Sequence, residues 1–505
     1  MRWSPQQENV FDFAKNGKGS AIIEAVAGSG KTTTLVELVT RLSGSVAFCA
    51  YNKAIATEIG SRLENRVDKT KVKSGTFHSF GFQAWRRVAP NVRLESKKLN
   101  LLIEELGFSK EYHVFASKAV SLAKQWGIGA LCAFEDMQQW NLLVERFDLT
   151  DSLEKEFKDV EDVDFDAVVE QALAFSIQLL KKSVSVSKDI IDFDDMIYLP
   201  VLRNVNMWQN DWVLIDEAQD TNPVRLALAK KMLKVGGRLV AVGDPCQAIY
   251  GFAGADSESL NKIAKEFNAT RIPLTVTYRC PKAVVNHARQ WVSHIEAHES
   301  APEGSVTTMK EEDFIKLGAD KLRTEDAIIC RNTAPLVSLA FGLIRRRIAC
   351  HVEGRDIGAG LIALAKRWKV KTVATLRDRL EDYMAKQKEK FLAKGEEEKA
   401  ASLQDKVDTL IVIIDTLKPT DSVDEVINVI LSLFGDTPEG QNAKSLTLCT
   451  AHKSKGREWH RVYLYGRNKY MPSKFARQDW QVVQENNLIY VAVTRSKSEL
   501  IEVTV

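Results

Sequence analysis

The stretch "EAVAGSGKTTT", Glu24 to Thr34, follows an apolar run and precedes a helix-like pattern. In that setting glycines and a lysine form a phosphate cradle. The usual pattern opens on glycine, G-x-x-x-x-G-K-[ST], whereas here Ala25 stands first and Gly28, Gly30, Lys31 and Thr32 are intact. Backbone N–H groups between Ala25 and Thr32 and the helix N-terminus would wrap a β-phosphate, Lys31 would neutralise β/γ charge, and Thr32 would hold magnesium. The plainer reading is a glycine-rich turn ahead of an ordinary helix.

Working outward, the apolar runs "SAIIEAV", "SVAFCAY", "DWVLIDE" and "GRLVAVGD" are each followed by a turn and a helical pattern. Such alternation predicts buried parallel strands with crossover helices. A second set, "TRIPLTVTY", "EDAIICRN", "RIACHVEG", "SLTLCTAH", "HRVYLYG" and "SELIEVTV", predicts a second α/β unit. The expected boundaries are 1–85 with 181–270 for the first unit and 271–355 with 444–505 for the second. Residues 86–180 and 356–443 are expected as mainly helical insertions. The second insertion carries "YMAKQKEKFLAKGEEEKAASLQDKVDTLIVIIDTL", a charged helix followed by an amphipathic apolar segment.

Composition narrows the class. At 505 residues the chain is too long for one core, and 27% charged with 45% hydrophobic residues is ordinary for a globular protein. A net charge of +3 neither announces nor excludes a nucleic-acid partner. The seven cysteines are scattered and never spaced C-x-x-C, which argues against a zinc site, an iron–sulfur cluster or a disulfide framework. The opening "MRWSPQQENV" has no apolar signal-peptide core, and no apolar run approaches the length of a membrane span. An intracellular, cytoplasmic setting is expected, a virus-encoded protein in a host cell included, with no membrane partner.

A nucleotide loop needs a second strand bearing carboxylates, and "DWVLIDEAQD" supplies Asp216 to anchor magnesium and Glu217 to reach the attacking water. Taken alone, an acidic pair at a strand end is as readily a helix cap. The strand ending in "AVGDPCQAIYGFAGAD" places Gln247 where it could face a γ-phosphate, with Tyr250 and Phe252 just beyond. Two aromatics there suit a platform on which bases stack.

With these residues in view, the chain resembles the superfamily 1 DNA helicases of the UvrD/PcrA/Rep type, and the resemblance spans nearly its whole length. "SPQQENV" resembles the adenine-reading Q motif with Gln6, "AYNKAIATEI" motif Ia, "GTFHSF" motif Ib and "DFDDMI" the segment before the acidic strand. "LIDEAQDTN" is similar to motif II, "VGDPCQAIYGFAGA" to motif III and "LTVTYRC", with Tyr278 and Arg279, to motif IV. "TAHKSKGREWHRV" resembles motif V and "NLIYVAVTRSKSEL", with Arg495, motif VI. Alanine at position 25 is common in that family.

The resemblance implies two RecA-like P-loop domains of the α/β class, parallel sheets flanked by helices, each with a helical insertion. It implies ATP and magnesium as cofactors, with ATP contacts from Gln6, Ala27, Gly28, Ser29, Gly30, Lys31, Thr32, Thr33, Tyr278, Gly456 and Glu458. Lys31, Glu217, Gln247, Arg279 and Arg495 would carry hydrolysis, the two arginines reaching the γ-phosphate from the second unit. Thr32 and Asp216 would hold the metal. Single-stranded DNA and its junctions with duplex would be the partner, held by Asn52, Lys53, Thr76, His78, Tyr250, Phe252 and His452. Movement 3′ to 5′ with strand displacement, and a monomer, are also implied, with replication or repair partners left unnamed.

The chain departs from the pattern in places. Phe252 and Ala253 replace the tryptophan and arginine usual after the Tyr-Gly of motif III, Thr33 replaces an adenine-stacking arginine, and Ala50 with Tyr51 replaces a phenylalanine of motif Ia. The second insertion is shorter than in the bacterial repair enzymes. Three alternatives stay open: a translocase that strips bound proteins or remodels recombination intermediates with little unwinding, a P-loop kinase or signalling ATPase, and a catalytically silent scaffold.

Overall fold

The computed structural model describes residues 3–505 apart from 65, 69, 158–163, 252–257, 319, 394–396, 435–444, 475 and 477. It divides into two compact units, Met1–Val26 with Gly30–Thr275 and Ala27–Ser29 with Val276–Val505.

In the first unit the strands β1 (Ala21–Ala25), β2 (Val46–Ala50) and β3 (Val72–Thr76) precede the helical insertion. The short strands β4 (Arg93–Leu94) and β5 (Ile190–Ile191) bracket that insertion as a parallel ribbon. The strands β6 (Asn210–Ile215), β7 (Leu233–Gly243) and β8 (Thr270–Leu274) follow it. Among the described residues the main sheet runs β3-β2-β6-β7-β1-β8, with every neighbouring pair parallel. Helices cover both faces, so its central strands read as unbroken apolar runs, and all five residues of β2 are buried. Because all strands point one way, the turns after β1, β2, β3, β6 and β7 gather along one edge of the sheet. That edge is where an open parallel sheet offers a ligand site.

One expectation is corrected here. Thr270–Leu274 was expected to open the second unit, yet it pairs with β1 as an edge strand of the first. Ile272 and Leu274 join the same hydrophobic core as Ile23, Phe48 and Leu214, and the Leu274 carbonyl accepts from Val26 N at 3.0 Å. Apolar content alone did not distinguish which sheet this strand would cover.

The first insertion is helical, with Lys98–Leu106, His113–Trp126, Met137–Arg146, Asp151–Phe157 and Phe165–Ser185. Its side chains Phe115, Trp140 and Leu179 share one core with Ile22, Ala47 and Ile215 of the sheet. Beneath "DFDDMI" lies a buried ionic network. Lys98 Nζ stands 2.6 Å from Asp195, and Lys124 Nζ stands 2.6 Å from Asp192 and 2.8 Å from Asp195. Lys98, Lys124 and Asp195 are all fully buried. Burial pushes the Asp195 carboxyl up, but Lys124 and Lys98 together hold it below the usual carboxylate range.

The second unit holds β9 (Val276–Thr277), β10 (Glu296–Ala297), β11 (Ser305–Lys310), β12 (Ala327–Cys330), β13 (Cys350–Val352), β14 (Leu446–Thr450), β15 (Trp459–Tyr465) and β16 (Ser496–Thr504). Its main sheet runs β11-β16-β15-β12-β14-β13, again parallel throughout among the described residues. The stretch expected as a charged helix followed by an amphipathic apolar segment carries the helices Val373–Ala393 and Glu397–Ile414. Leu380, Leu410 and Ile430 of this insertion share a core with Leu336, Leu448 and Tyr463. Asp405 accepts from the N–H groups of Thr333 and Ala334 at 2.9 and 2.8 Å, capping the helix Thr333–Arg345. Among the described residues no helix is long and apolar enough to cross a membrane.

Removing one charge from the buried network tests how the first insertion is fastened. Asp195→Asn leaves two buried lysines short of a counter-charge and is expected to cost about 3–5 kcal/mol, read from urea unfolding. A loss under about 1 kcal/mol, the value of an exposed pair, would show that the network does not hold the insertion.

Candidate functional site

The glycine loop that follows β1 shows why Ala25 is tolerated. Ala25 is the buried last residue of β1, in ordinary strand backbone, while the left-handed positions fall later, at Gly28 (φ 73°) and Gly30 (φ 80°). A side chain at either would be strained. Gly30 is the N-cap of the helix Lys31–Arg41 and supplies no side-chain cap, so the first-turn N–H groups point into the loop unclaimed by a side chain. The Ser29 hydroxyl is sealed from solvent with no hydrogen-bond partner among the described residues. Thr32 and Thr33 lie in the first turn of the same helix.

The acidic pair meets this loop. Lys31 Nζ stands 3.4 Å from Glu217 Oε1, and the Thr32 hydroxyl donates to Asp216 Oδ2 at 3.4 Å. Glu217 occupies left-handed backbone (φ 51°, ψ 46°), a costly conformation for a non-glycine residue that the packed surroundings must hold. Gln219 donates to its other oxygen, Oε2, and accepts from Asp244 N at 3.1 Å. Gln247 is buried and donates to Asp244 Oδ2 at 2.7 Å. The turn after β7 is thereby tied to the turn after β6.

Burial, then the negative charge of Glu217, push the Asp216 carboxyl up to about 7 against the pull of Lys31. Burial also raises Asp244. Three carboxyl groups around one lysine leave the site short of positive charge. Oxygen donors from Thr32 and Asp216 fit a hard divalent cation such as magnesium, which binds through one or two carboxylates and substrate phosphates. Lysine, glycine backbone and an oxygen pair together can hold a nucleotide triphosphate. Glu217 is placed to order a water beside it.

The two N-terminal glutamines divide their work. Gln6, expected at the adenine, is fixed by the end of β8: its Oε1 accepts from Thr275 N at 2.9 Å and its Nε2 donates to Thr275 Oγ1 at 2.8 Å. Gln7 went unassigned in the sequence. It completes a capping box with Ser4 and donates to Thr34 Oγ1 at 3.0 Å, bracing the nucleotide-loop helix. The S-x-x-Q spacing was the available signal.

The residues expected to hold nucleic acid in this unit lie on the same edge of the sheet. Asn52 caps the helix Lys53–Leu63 through a 2.9 Å bond from Ile55 N, and exposed Lys53 opens that helix. Thr76 caps Phe77–Val88, accepting from Ser79 N at 3.2 Å. Tyr250 stacks on Tyr51 with ring centroids 6.1 Å apart and planes 13° from parallel. Tyr51, named in the sequence only as a departure from the family pattern, is 40% exposed. Phe252 lies outside the described residues. His78 is pushed down to about 4, first by burial and then by the charge of Arg225, so it is neutral at pH 7.

In the second unit, Arg279 Nε stands 2.6 Å from Glu458, which also pairs with Lys497 at 3.0 Å. Gly456 is left-handed (φ 83°) two residues before Glu458. Arg495, 1% exposed, donates to the Val491 carbonyl at 2.7 Å, the Arg457 carbonyl at 3.1 Å and the Thr494 hydroxyl at 3.2 Å. Tyr278 is exposed and lies against His298, ring centroids 4.9 Å apart. His452 is pushed down to about 3, mainly by burial and then by Arg331, Lys453 and Lys455.

The profile of the UvrD/REP helicase N-terminal domain matches residues 3–268, and that of the UvrD-like helicase C-terminal domain matches residues 355–504. Similar proteins include the ATP-dependent DNA helicase Rep of Buchnera aphidicola subsp. Schizaphis graminum, 26% identical over 309 residues, 57% of this chain and 44% of that protein. DNA helicase IV of Escherichia coli is 26% identical over 328 residues, 58% of this chain and 48% of that protein. The ATP-dependent DNA helicase PcrA of Staphylococcus epidermidis is 26% identical over 357 residues, 66% of this chain and 44% of that protein. The matched stretch therefore spans less than half the length of each of these relatives.

A depressed histidine has a definite pH signature. With the His78 pKa about 4 in the fold and about 6.5 when unfolded, its contribution is complete above pH 6.5 and is lost as pH falls toward 4. His78→Gln is expected to flatten the fall in melting temperature between pH 7 and pH 4.5. An unchanged acid slope would place the histidine in solvent.

Proposed function

The chain belongs to the UvrD/REP helicase family, and on that premise we propose that it is an ATP-dependent motor that moves along single-stranded DNA, 3′ to 5′, and displaces the complementary strand. The observation that supports this most is the pairing of Lys31 with Glu217 and of Thr32 with Asp216 on the sheet edge that also carries the Tyr51–Tyr250 stack. A phosphate-handling site and an aromatic surface for bases occupy one edge of one sheet.

In this reading the loop amides and Lys31 hold the β- and γ-phosphates of ATP. Glu217, steadied by Gln219, orients the attacking water and takes its proton. Magnesium, held by Thr32 and Asp216, would neutralise charge on the phosphate oxygens. Arg279 and Arg495 enter the proposal as cations that stabilise the transferring phosphoryl group, and Gln247 as the sensor of its loss. Bases stack on Tyr250 and Tyr51, while Asn52, Lys53, Thr76, His78 and His452 meet the strand without reading its sequence. The neutral histidines act there as hydrogen-bonding groups rather than as cations.

A second reading, a translocase that clears bound proteins with little unwinding, is favoured by one observation. The helices of the second insertion share the core of their sheet instead of building a core of their own. A strand-displacement assay with 3′-tailed, 5′-tailed and blunt duplexes separates the two. Unwinding of the 3′-tailed substrate alone is expected, whereas ATP-driven removal of a protein from single strands without any unwinding would favour the second.

Hydrolysis is expected to be slow without DNA and strongly raised by single strands. Glu217→Gln is expected to lower turnover by about 10²-fold or more while ATP and DNA binding persist. Turnover near wild type in that variant would remove Glu217 from the reaction.

A further inference from the structure

Arg225 is the least explained charge near the nucleic-acid edge of the first unit. It sits in the first turn of the helix Pro223–Lys231, its N–H bound by Asn222 Oδ1 at 2.9 Å. Its Nη1 donates to the Asp220 carbonyl at 3.0 Å, and its Nε is sealed from solvent with no hydrogen-bond partner among the described residues. No carboxylate among the described residues comes within ion-pair distance of it. A partly buried cation whose Nε is sealed and whose nearest carboxylates, Asp220 and Asp194, act only from beyond ion-pair distance is incompletely compensated, and a carbonyl alone needs only a neutral donor.

What surrounds this guanidinium gives the charge a use. Tyr51 from the turn after β2, His78 from the helix after β3, Asp220 from the turn after β6 and Asp194 from the segment after β5 all lie within its electrostatic range. Two of these elements carry residues assigned above to nucleic acid. Asp220 closes the short helical turn Ala218–Asp220, whose N-cap is the strained Glu217.

We propose that Arg225 is a positioning residue through which the phosphate charge of a bound strand acts on the Glu217 turn. Phosphates arriving at the turns after β2 and β3 attract the guanidinium, and the field is weakly screened because the group is desolvated. The Nη1 bond to Asp220 passes that pull to the turn that holds Glu217 in left-handed backbone. In this proposal Arg225 acts through its field and its bond to Asp220 and does not itself grip the strand. The proposal rests on the reading of this protein as a DNA-stimulated ATPase.

The test measures ATP turnover with and without saturating oligo(dT), together with oligo(dT) affinity across a salt series, for the wild type, Arg225→Gln and Arg225→Lys. In Arg225→Gln, DNA-free turnover is expected to stay within about twofold and stimulation to fall at least about tenfold, while affinity moves less than about threefold and the salt slope is unchanged. Arg225→Lys, which keeps the charge, is expected to recover part of the stimulation. A salt slope smaller by about 1, with stimulation restored at saturating DNA, would make Arg225 a direct phosphate contact and overturn the proposal. DNA-free and stimulated turnover falling together in both variants would make the residue merely structural, and also overturn it. A wild-type protein equally active with and without DNA would instead defeat the reading beneath.

Discussion

A shortage of positive charge governs the first unit. Asp216, Glu217 and Asp244 all act on Lys31, and burial holds Asp216 near 7 and Asp244 above its ordinary value because one ammonium cannot satisfy three carboxyl groups. Sheet register enforces this crowding. Glu24 pairs with Gly243 and Ile215 with Ala241, so the residues following β1, β6 and β7 must emerge side by side. A parallel sheet with these sequences at its strand ends cannot avoid gathering acids around the glycine loop. A divalent cation held by Thr32 and Asp216, as proposed above, would offset that cost.

Much of this was legible because it depends on local rules. Gly28 and Gly30 are required by left-handed backbone, and Asp216 by the end of an apolar strand. Such constraints act over a few residues and leave a mark in any single sequence. Ala25 looked like a flaw only because the pattern demands a glycine where this strand simply continues. What stayed hidden was set by partners far along the chain. Thr270–Leu274 reads as a strand of either unit until its pairing with β1 is seen, because apolar content does not name the neighbour. Gln7 gains its role through Thr34 and Gln6 through Thr275, separations that no periodicity encodes.

The two insertions are fastened by different physics. The first is joined to its sheet by hydrophobic packing and by the Lys98–Asp195–Lys124–Asp192 network, in which each ion is compensated only while the helices keep one arrangement. Such a network contributes little net stability against apolar replacements, yet sliding a helix by one turn would strand a bare charge in the interior. It therefore resists displacement more than it adds stability. The second insertion relies on apolar packing, with Asp405 as a helix cap. Apolar contacts are non-directional and tolerate small shifts, so among the described residues no fully buried ion network opposes sliding there.

This difference bears on where force can be resisted. "DFDDMI" supplies the acids of the network and opens the helix Asp195–Leu202, which precedes β6, the strand that ends one residue before Asp216. Asp194, in the middle of that segment, accepts from Ser121 and acts electrostatically on Arg225. The segment thus joins two things in a few residues: the register of the insertion and the surroundings of the guanidinium bound to Asp220. A displacement of the insertion would have to break buried ion pairs before it could relax independently of β6.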